Sequence, residues 1–247
     1  MSIADLTIVV TNYNTPDLII NLVKSVKNTH LTLPHMYVGN TGNPQYNTVW
    51  YDLFPKHDSM IYVKHTNFGE TTHGEAVNKI MYGPHIDTRY ILLVDSDVLF
   101  LKDISEPFKK FKESGCVVMG KVTGDRGGKR IHDRVDPWFC FMDLKTLREY
   151  KIRFYDHFRS KVLKSEKIYD IGSTMYEEIL ANDLTIANVS LEGKYFKHYE
   201  GMSWRVQKYN PDNGDTDIDV GGTHDNKALY EYGLKVREQY ERDVANS

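Results

Sequence analysis

Cysteine is nearly absent, with two in 247 residues, Cys116 and Cys140, and no CxxC pair. Both stand among apolar neighbours (GCVVMG, WFCFMD), where thiols are usually buried, so a reducing, cytoplasmic setting is expected rather than a disulfide framework. Positive charge is not in excess either: Lys plus Arg number 31 against 34 Asp plus Glu, a formal net charge of −3. That excludes the broad basic field which holds a nucleic-acid backbone. Long apolar runs are missing. No window approaches the ~20 residues of a membrane span, and the opening MSIADLTIVVTNYN has no basic stretch ahead of an apolar one. Internal repeats, low-complexity tracts and evident linkers are also absent, so a single domain over residues 1–247 is expected. The 40% of hydrophobic residues is enough for a sizeable core.

What is present alternates. Runs LTIVVTNY (6–13), HMYVGN (35–40), MIYVKHT (60–66) and YILLVDSD (90–97) read as strands. PDLIINLVKSVKNT repeats Leu18, Leu22, Val23 and Val26 at helical spacing, and Pro16 and Asp17 suit a first helical turn. GETTHGEAVNKIMYG gives a second helical face of Ala76, Val77, Ile80 and Met81. Nearly all-apolar strands alternating with helices predict an α/β fold with a Rossmann-like, mostly parallel sheet covered on both faces. Further on, ISEPFKKFKESG reads as an amphipathic helix closed by Gly115, CVVMGKV as a strand, WFCFMDLKTLREY as a strand running into a helix, and GSTMYEEILAND as a helix. QKYNPDNGDTDIDVGGTHDN (207–226) reads as an ordered loop or lid, and KALYEYGLKVREQYERDV as a closing helix.

An open parallel sheet binds ligands beyond the carboxyl ends of its strands. Thr11, Asn12 and Tyr13, then Asn40, then Asp95 to Asp97 end three strands and should share one crevice. Side chains two apart on a strand share a face, so Asp95 and Asp97 should converge. Two buried carboxylates repel and lose hydration, costing several kcal/mol per ion unless a cation or donors compensate. A hard divalent ion, Mn²⁺ or Mg²⁺, answers both costs and accepts phosphate oxygen as well. Solvated acids capping a strand, one paired with Lys102, would explain the same letters.

Taken in order, TNYN, NTG, TNFGETTHGEAVN and YILLVDSD resemble the GT-A glycosyltransferases, especially the family 2 type, across most of the chain. KHYEGMSW (197–204) is similar to the His-x-x-Gly segment with a following Trp near the end of their catalytic domain. The resemblance implies a metal-dependent transferase, hexosyltransferase-like, moving a sugar from a UDP- or GDP-sugar to an acceptor hydroxyl. It divides the chain into a nucleotide-binding half (1–103), an acceptor-side half (104–206) and a loop or lid with the last helix (207–247). Asp97 would ligate the metal, Asp95 would contact the ribose or the metal, and His198 would be a further ligand. Thr11, Asn12, Tyr13 and Asn40 would meet the nucleobase and ribose, with Asn67, Gly69 and Asn78 beside the nucleotide. Trp138 and Trp204 would line the sugar or acceptor pocket. Many family members have an acid where this chain has Asn40, and an amide suits uridine and guanosine alike. The acceptor base would be Asp170, in YDIGSTMYEEIL, with Glu177 and Glu178 as alternatives. Tyr169 replaces the family's first acid there, and Asp170 also suits a helix cap.

Other features carry less. DTDID (215–219) departs from a calcium loop, since Gly221 is one place late and Asn226 stands where a glutamate closes it. GDRGGKR lacks the ending of a P-loop, leaving a surface loop or a diphosphate or acceptor clamp through Arg126, Lys129 or Arg130. His224 is a substitute ligand for His198. Alternatives to the transferase are a catalytically inactive GT-A-like protein that binds a carbohydrate or partner, and a nucleotidyltransferase.

Overall fold

The computed structural model describes residues 3–13, 15–41, 63–69, 71–124, 132–155, 169–200, 202 and 226–246. Trp204, His224, Arg126, Lys129, Arg130 and residues 207–225 of the expected lid lie outside them.

The first half follows the alternation in sequence: β1 (Leu6–Tyr13), α1 (Pro16–Thr29), β2 (His35–Thr41), β3 (Val63–Asn67), α2 (His73–Tyr82) and β4 (Tyr90–Asp95). Next come β5 (Val98–Phe100), α3 (Ser105–Ser114), β6 (Val118–Thr123), β7 (Arg134–Asp143), α4 (Leu144–Glu149), α5 (Ser173–Ala181), β8 (Ile186–Asn188), β9 (Phe196–His198) and α6 (Asn226–Ala245). Local chemistry accounts for the helix ends. Pro16 opens α1 where an N–H would have no partner. Thr72 and Glu75 close a reciprocal capping box at the start of α2. Gly115, at φ 67°, ends α3 in the left-handed conformation.

Seven strands form one sheet in the order β3-β2-β1-β4-β7-β6-β8, and β5 pairs with β9 in a separate ribbon. The β3-β2-β1-β4 block is parallel, whereas β7 runs antiparallel to both β4 and β6. Apolar residues of β1 divide between the two faces. Leu6, Ile8 and Val10 pack with α1 and α3, and Val9 packs with α2, α4 and α5. Helices on both faces explain why the strands show no alternation. Both cysteines are buried free thiols, and burial pushes the Cys140 thiol up well beyond its ordinary value. No helix of the described residues is long and apolar enough to cross a membrane.

One expectation is corrected. The fourth strand ends at Asp95, and Ser96 and Asp97 form a turn before β5. The two aspartates therefore do not meet by the two-residue repeat of a strand. The turn reverses that logic, and the pairing of β5 with β9 positions Asp97 instead.

Candidate active site

Parallel pairing sets Thr11 of β1 beside Asp95 of β4, and Asn12 beside Asn40 of β2. The residues expected at the carboxyl ends of these strands thus stand side by side in register. Asn12 and Asn40 are each 0% exposed; Asn12 donates to Asn40 Oδ1 at 3.0 Å and accepts from Thr15 at 2.7 Å. The two amides tie β1 to β2 beneath the crevice, which leaves the Asn40 Nδ2 buried without an acceptor. Tyr13 ends β1 half-buried. Asn67 stands opposite Asn40 at the end of β3, and Gly69 follows at φ 65°, a conformation that favours glycine.

Antiparallel pairing in the small ribbon places Val98 opposite His198, and the Tyr199 N–H donates to the Asp97 carbonyl at 2.9 Å. This backbone ladder brings the imidazole over the turn. Its Nε2 lies 3.2 Å from Asp97 Oδ1 and 3.9 Å from Asp95 Oδ2. The Met202 N–H donates to the other oxygen of Asp97 at 3.2 Å. Oδ1 of Asp95 and Oδ1 of Asp97 are both buried without a directed hydrogen-bond donor. One ligand atom from each of Asp95, Asp97 and His198 lies within 4.8 Å of the others. Two buried carboxylate oxygens and an imidazole nitrogen at that spacing fit a hard divalent cation.

His73 completes the surroundings, and the sequence reading passes it over. It is the first residue of α2, with Nε2 at 3.0 Å from Thr11 Oγ1 and 3.8 Å from Asp95 Oδ1. Its signal was the T-x-x-E box of Thr72 and Glu75, which puts residue 73 on the first helical turn facing the strand ends.

Burial raises the Asp95 carboxyl above its ordinary range; the charge of Asp97 adds to this, and those of His73, His198 and Arg134 oppose it. Burial favours neutral His198, but contact with Asp97 and the charges of both aspartates outweigh it and raise the imidazole above 6.5. A raised folded pKa means that the folded state holds the proton more tightly. The stability contributed is present at low pH and lost as pH rises through the folded value. His198 therefore stabilises the metal-free protein up to about the ordinary imidazole value, and the benefit fades above it. The metal-free advantage of wild type over His198→Gln, read from melting curves, should shrink as pH rises above the ordinary imidazole value. Metal affinity should rise over the same range, because the ligand nitrogen must be deprotonated.

The residues expected on the acceptor side gather at β7 and α5. Arg134 pairs with Asp170 and lies 3.4 Å from Asp136 through Nε. The other Asp170 oxygen accepts from the Ile171 N–H at 2.8 Å, so both oxygens of Asp170 are held just before α5. Glu177 accepts from Tyr169 at 2.9 Å and lies 3.4 Å from His132, whose ring stacks on Tyr169. Glu178 turns away to the Arg153 N–H. Trp138, half-buried, stacks on His198 with ring centroids 5.2 Å apart and planes at 18°.

Asn78 does something else. Its amide accepts from the Phe154 N–H at 2.9 Å and donates at 2.5 Å to the Phe154 carbonyl, clamping α2 to the segment after α4. Asn78→Ala should lower stability by about 2 kcal/mol, since two buried backbone groups lose their partner. Urea unfolding would measure it, and a donor KM that stayed constant would separate this clamp from nucleotide binding.

No protein-family model matches the chain, and no curated protein matches it by sequence. Solved structures do. The galactosyltransferase LgtC with donor and acceptor sugar analogs is 14% identical, with TM-score 0.53 over 93% of this chain and 95% of that one. The mannosyltransferase PcManGT from Pyrobaculum calidifontis, in complex with GDP-Man and Mn²⁺, is 12% identical with TM-score 0.52, covering 98% and 75%. A putative glucose-1-phosphate thymidylyltransferase from Bacillus anthracis is 10% identical with TM-score 0.52, covering 78% and 89%. Against S. aureus TarS 1-349 with UDP-GlcNAc the chain spans 48% of that chain's length. The mixed sheet, its covering helices and these likenesses show that the chain has a GT-A-like glycosyltransferase fold.

Proposed function

We propose that the protein is a metal-dependent glycosyltransferase that moves a sugar from a UDP- or GDP-sugar to an acceptor hydroxyl. The carrying observation is the Asp95, Asp97 and His198 cluster, with two buried oxygens lacking donors at the carboxyl ends of a parallel sheet. The named complexes of similar fold with GDP-Man and Mn²⁺ and with sugar analogs support it. Asp97 and His198 would hold Mn²⁺ or Mg²⁺, with Asp95 reaching the ion or the ribose. The bound ion would supply charge neutralisation for the departing diphosphate. Thr11 and His73, in contact with one another beside Asp95, would orient the nucleotide, and Trp138, stacked on the imidazole, would shield one face of it. On the acceptor side, Asp170 or Glu177 would take the hydroxyl proton. Asp170 must exchange its contact with Arg134 for one with the acceptor. A cytoplasmic setting accords with the two buried thiols.

A panel of UDP-, GDP- and dTDP-sugars, screened with Mn²⁺ for release of the nucleoside diphosphate, tests the reading. Release from one donor, abolished by EDTA, is the expected result. Likeness to a thymidylyltransferase favours a nucleotidyltransferase as the second reading. Pyrophosphate release from a nucleoside triphosphate plus a sugar 1-phosphate, with intact nucleotide-sugars untouched, would select it.

A further inference from the structure

The β6–β7 pairing contains an irregularity whose position matters. Gly120 pairs with Cys140 and Val122 with Val135, so two steps along β6 face five along β7. The excess lies in Asp136-Pro137-Trp138-Phe139, and proline is at home in a bulge because no ladder hydrogen bond is required there. Val135 and Cys140, on either side, both pack in the core cluster beneath α2, α4 and α5. Between them the bulge turns Trp138 onto the His198 ring. The Arg134 guanidinium lies 5.3 Å from the centre of the same indole and pairs with Asp170 at its far end. Arg134 is buried at 6% exposure and also reaches Asp136, 1% exposed, which accepts from Thr123 at 2.5 Å. Acceptor-side carboxylate, guanidinium, indole and imidazole thus form one contact chain ending on a residue of the metal cluster.

We propose that Arg134 is a positioning residue that sets the orientation of His198 through the face of Trp138, coupling Asp170 on the acceptor side to the metal cluster. The inference rests on the metal reading above, and goes beyond it by joining two halves of the site that have no shared ligand. Movement of Asp170 toward an acceptor would loosen Arg134, and the indole would transmit that to the orientation of the His198 imidazole. Buried guanidinium–carboxylate geometry is directional, so a lysine keeps the charge at residue 134 but not the planar contact with the ring.

Mn²⁺ affinity, read from the EPR signal of unbound Mn²⁺ in the presence of UDP, is the test. Arg134→Lys and Trp138→Phe are each expected to raise the Mn²⁺ Kd about tenfold, the lower end of what losing a group that orients a metal ligand costs. The double variant should raise it by less than the product of the two, since both act along one path. Asp170→Asn gives a second entry to the same path if Arg134→Lys folds poorly. It should raise the Kd in a Trp138 background and leave it unchanged in a Trp138→Phe one. Effects that multiply, or Kd values within twofold of wild type for Arg134→Lys and Asp170→Asn, would overturn the coupling. A wild-type protein that binds no Mn²⁺ would overturn the metal reading itself, a distinct result.

Discussion

Asp97→Asn is expected to abolish the rise in melting temperature that Mn²⁺ and UDP or GDP give together, and to lower donor turnover by on the order of 10²–10³-fold. The same variant should keep the metal-free melting temperature within a few degrees of wild type. Asp97 is 3% exposed and stands beside both Asp95 and His198, so the substitution relieves the repulsion between the two carboxylates while giving up the charge that holds the imidazolium, and the two effects oppose one another. An amide oxygen can still accept from the Met202 N–H. Loss of a ligand and relief of repulsion thus act on different observables, and differential scanning fluorimetry with and without the ion separates them. A thermal shift that survives the substitution would place the cation elsewhere.

The largest loss of stability is expected from Gly172→Ala. Gly172 precedes α5 at φ 92°, and an added Cβ would sit 2.4 Å from the Val135 carbonyl oxygen. The left-handed backbone alone costs an alanine about 1–2 kcal/mol, and the clash with a strand carbonyl adds to it. A fall of about 3 kcal/mol or more in urea unfolding is anticipated, large for a single added methyl because the turn is buried against β7, which is held in the sheet. Activity of the fraction that remains folded should fall too, since the same turn aims Asp170 at Arg134. A loss under 0.5 kcal/mol would show that the turn relaxes without β7.

The first half of the fold was legible because its strands are long and apolar and its helices carry start and stop signals, such as Pro16 and Thr72 with Glu75. β5, β8 and β9 were not, at three residues each, because periodicity needs a longer window. That gap also explains the error at Asp97: without β5 and β9 in view, a strand ending in DSD is the natural reading. The residue types at the candidate metal cluster were readable from DSD and from the resemblance at KHYEG. Their convergence depends on pairing across a hundred residues, which no local pattern encodes. Asn78 and the Asn12–Asn40 pair show the opposite case. Polar residues in the expected places are used by the scaffold, and only their hydrogen-bond partners reveal it.

The ribbon that carries His198 is secured from behind by α6. Lys197 reaches Asp243 at 2.5 Å, Tyr199 also donates to that carboxylate, and its ring packs edge-on against Tyr240. Met202 closes over Asp97 from 105 residues downstream, and Asp243 lies 46 beyond Lys197. At a ribosomal rate of about 5–20 residues per second, the acidic turn leaves the tunnel roughly 7–30 s before the last of its supports. For roughly the first 5–20 s of that interval, until residue 198 follows, the acidic turn lacks His198, so the cation proposed for this cluster would gain its imidazole ligand only after the two carboxylates are in place.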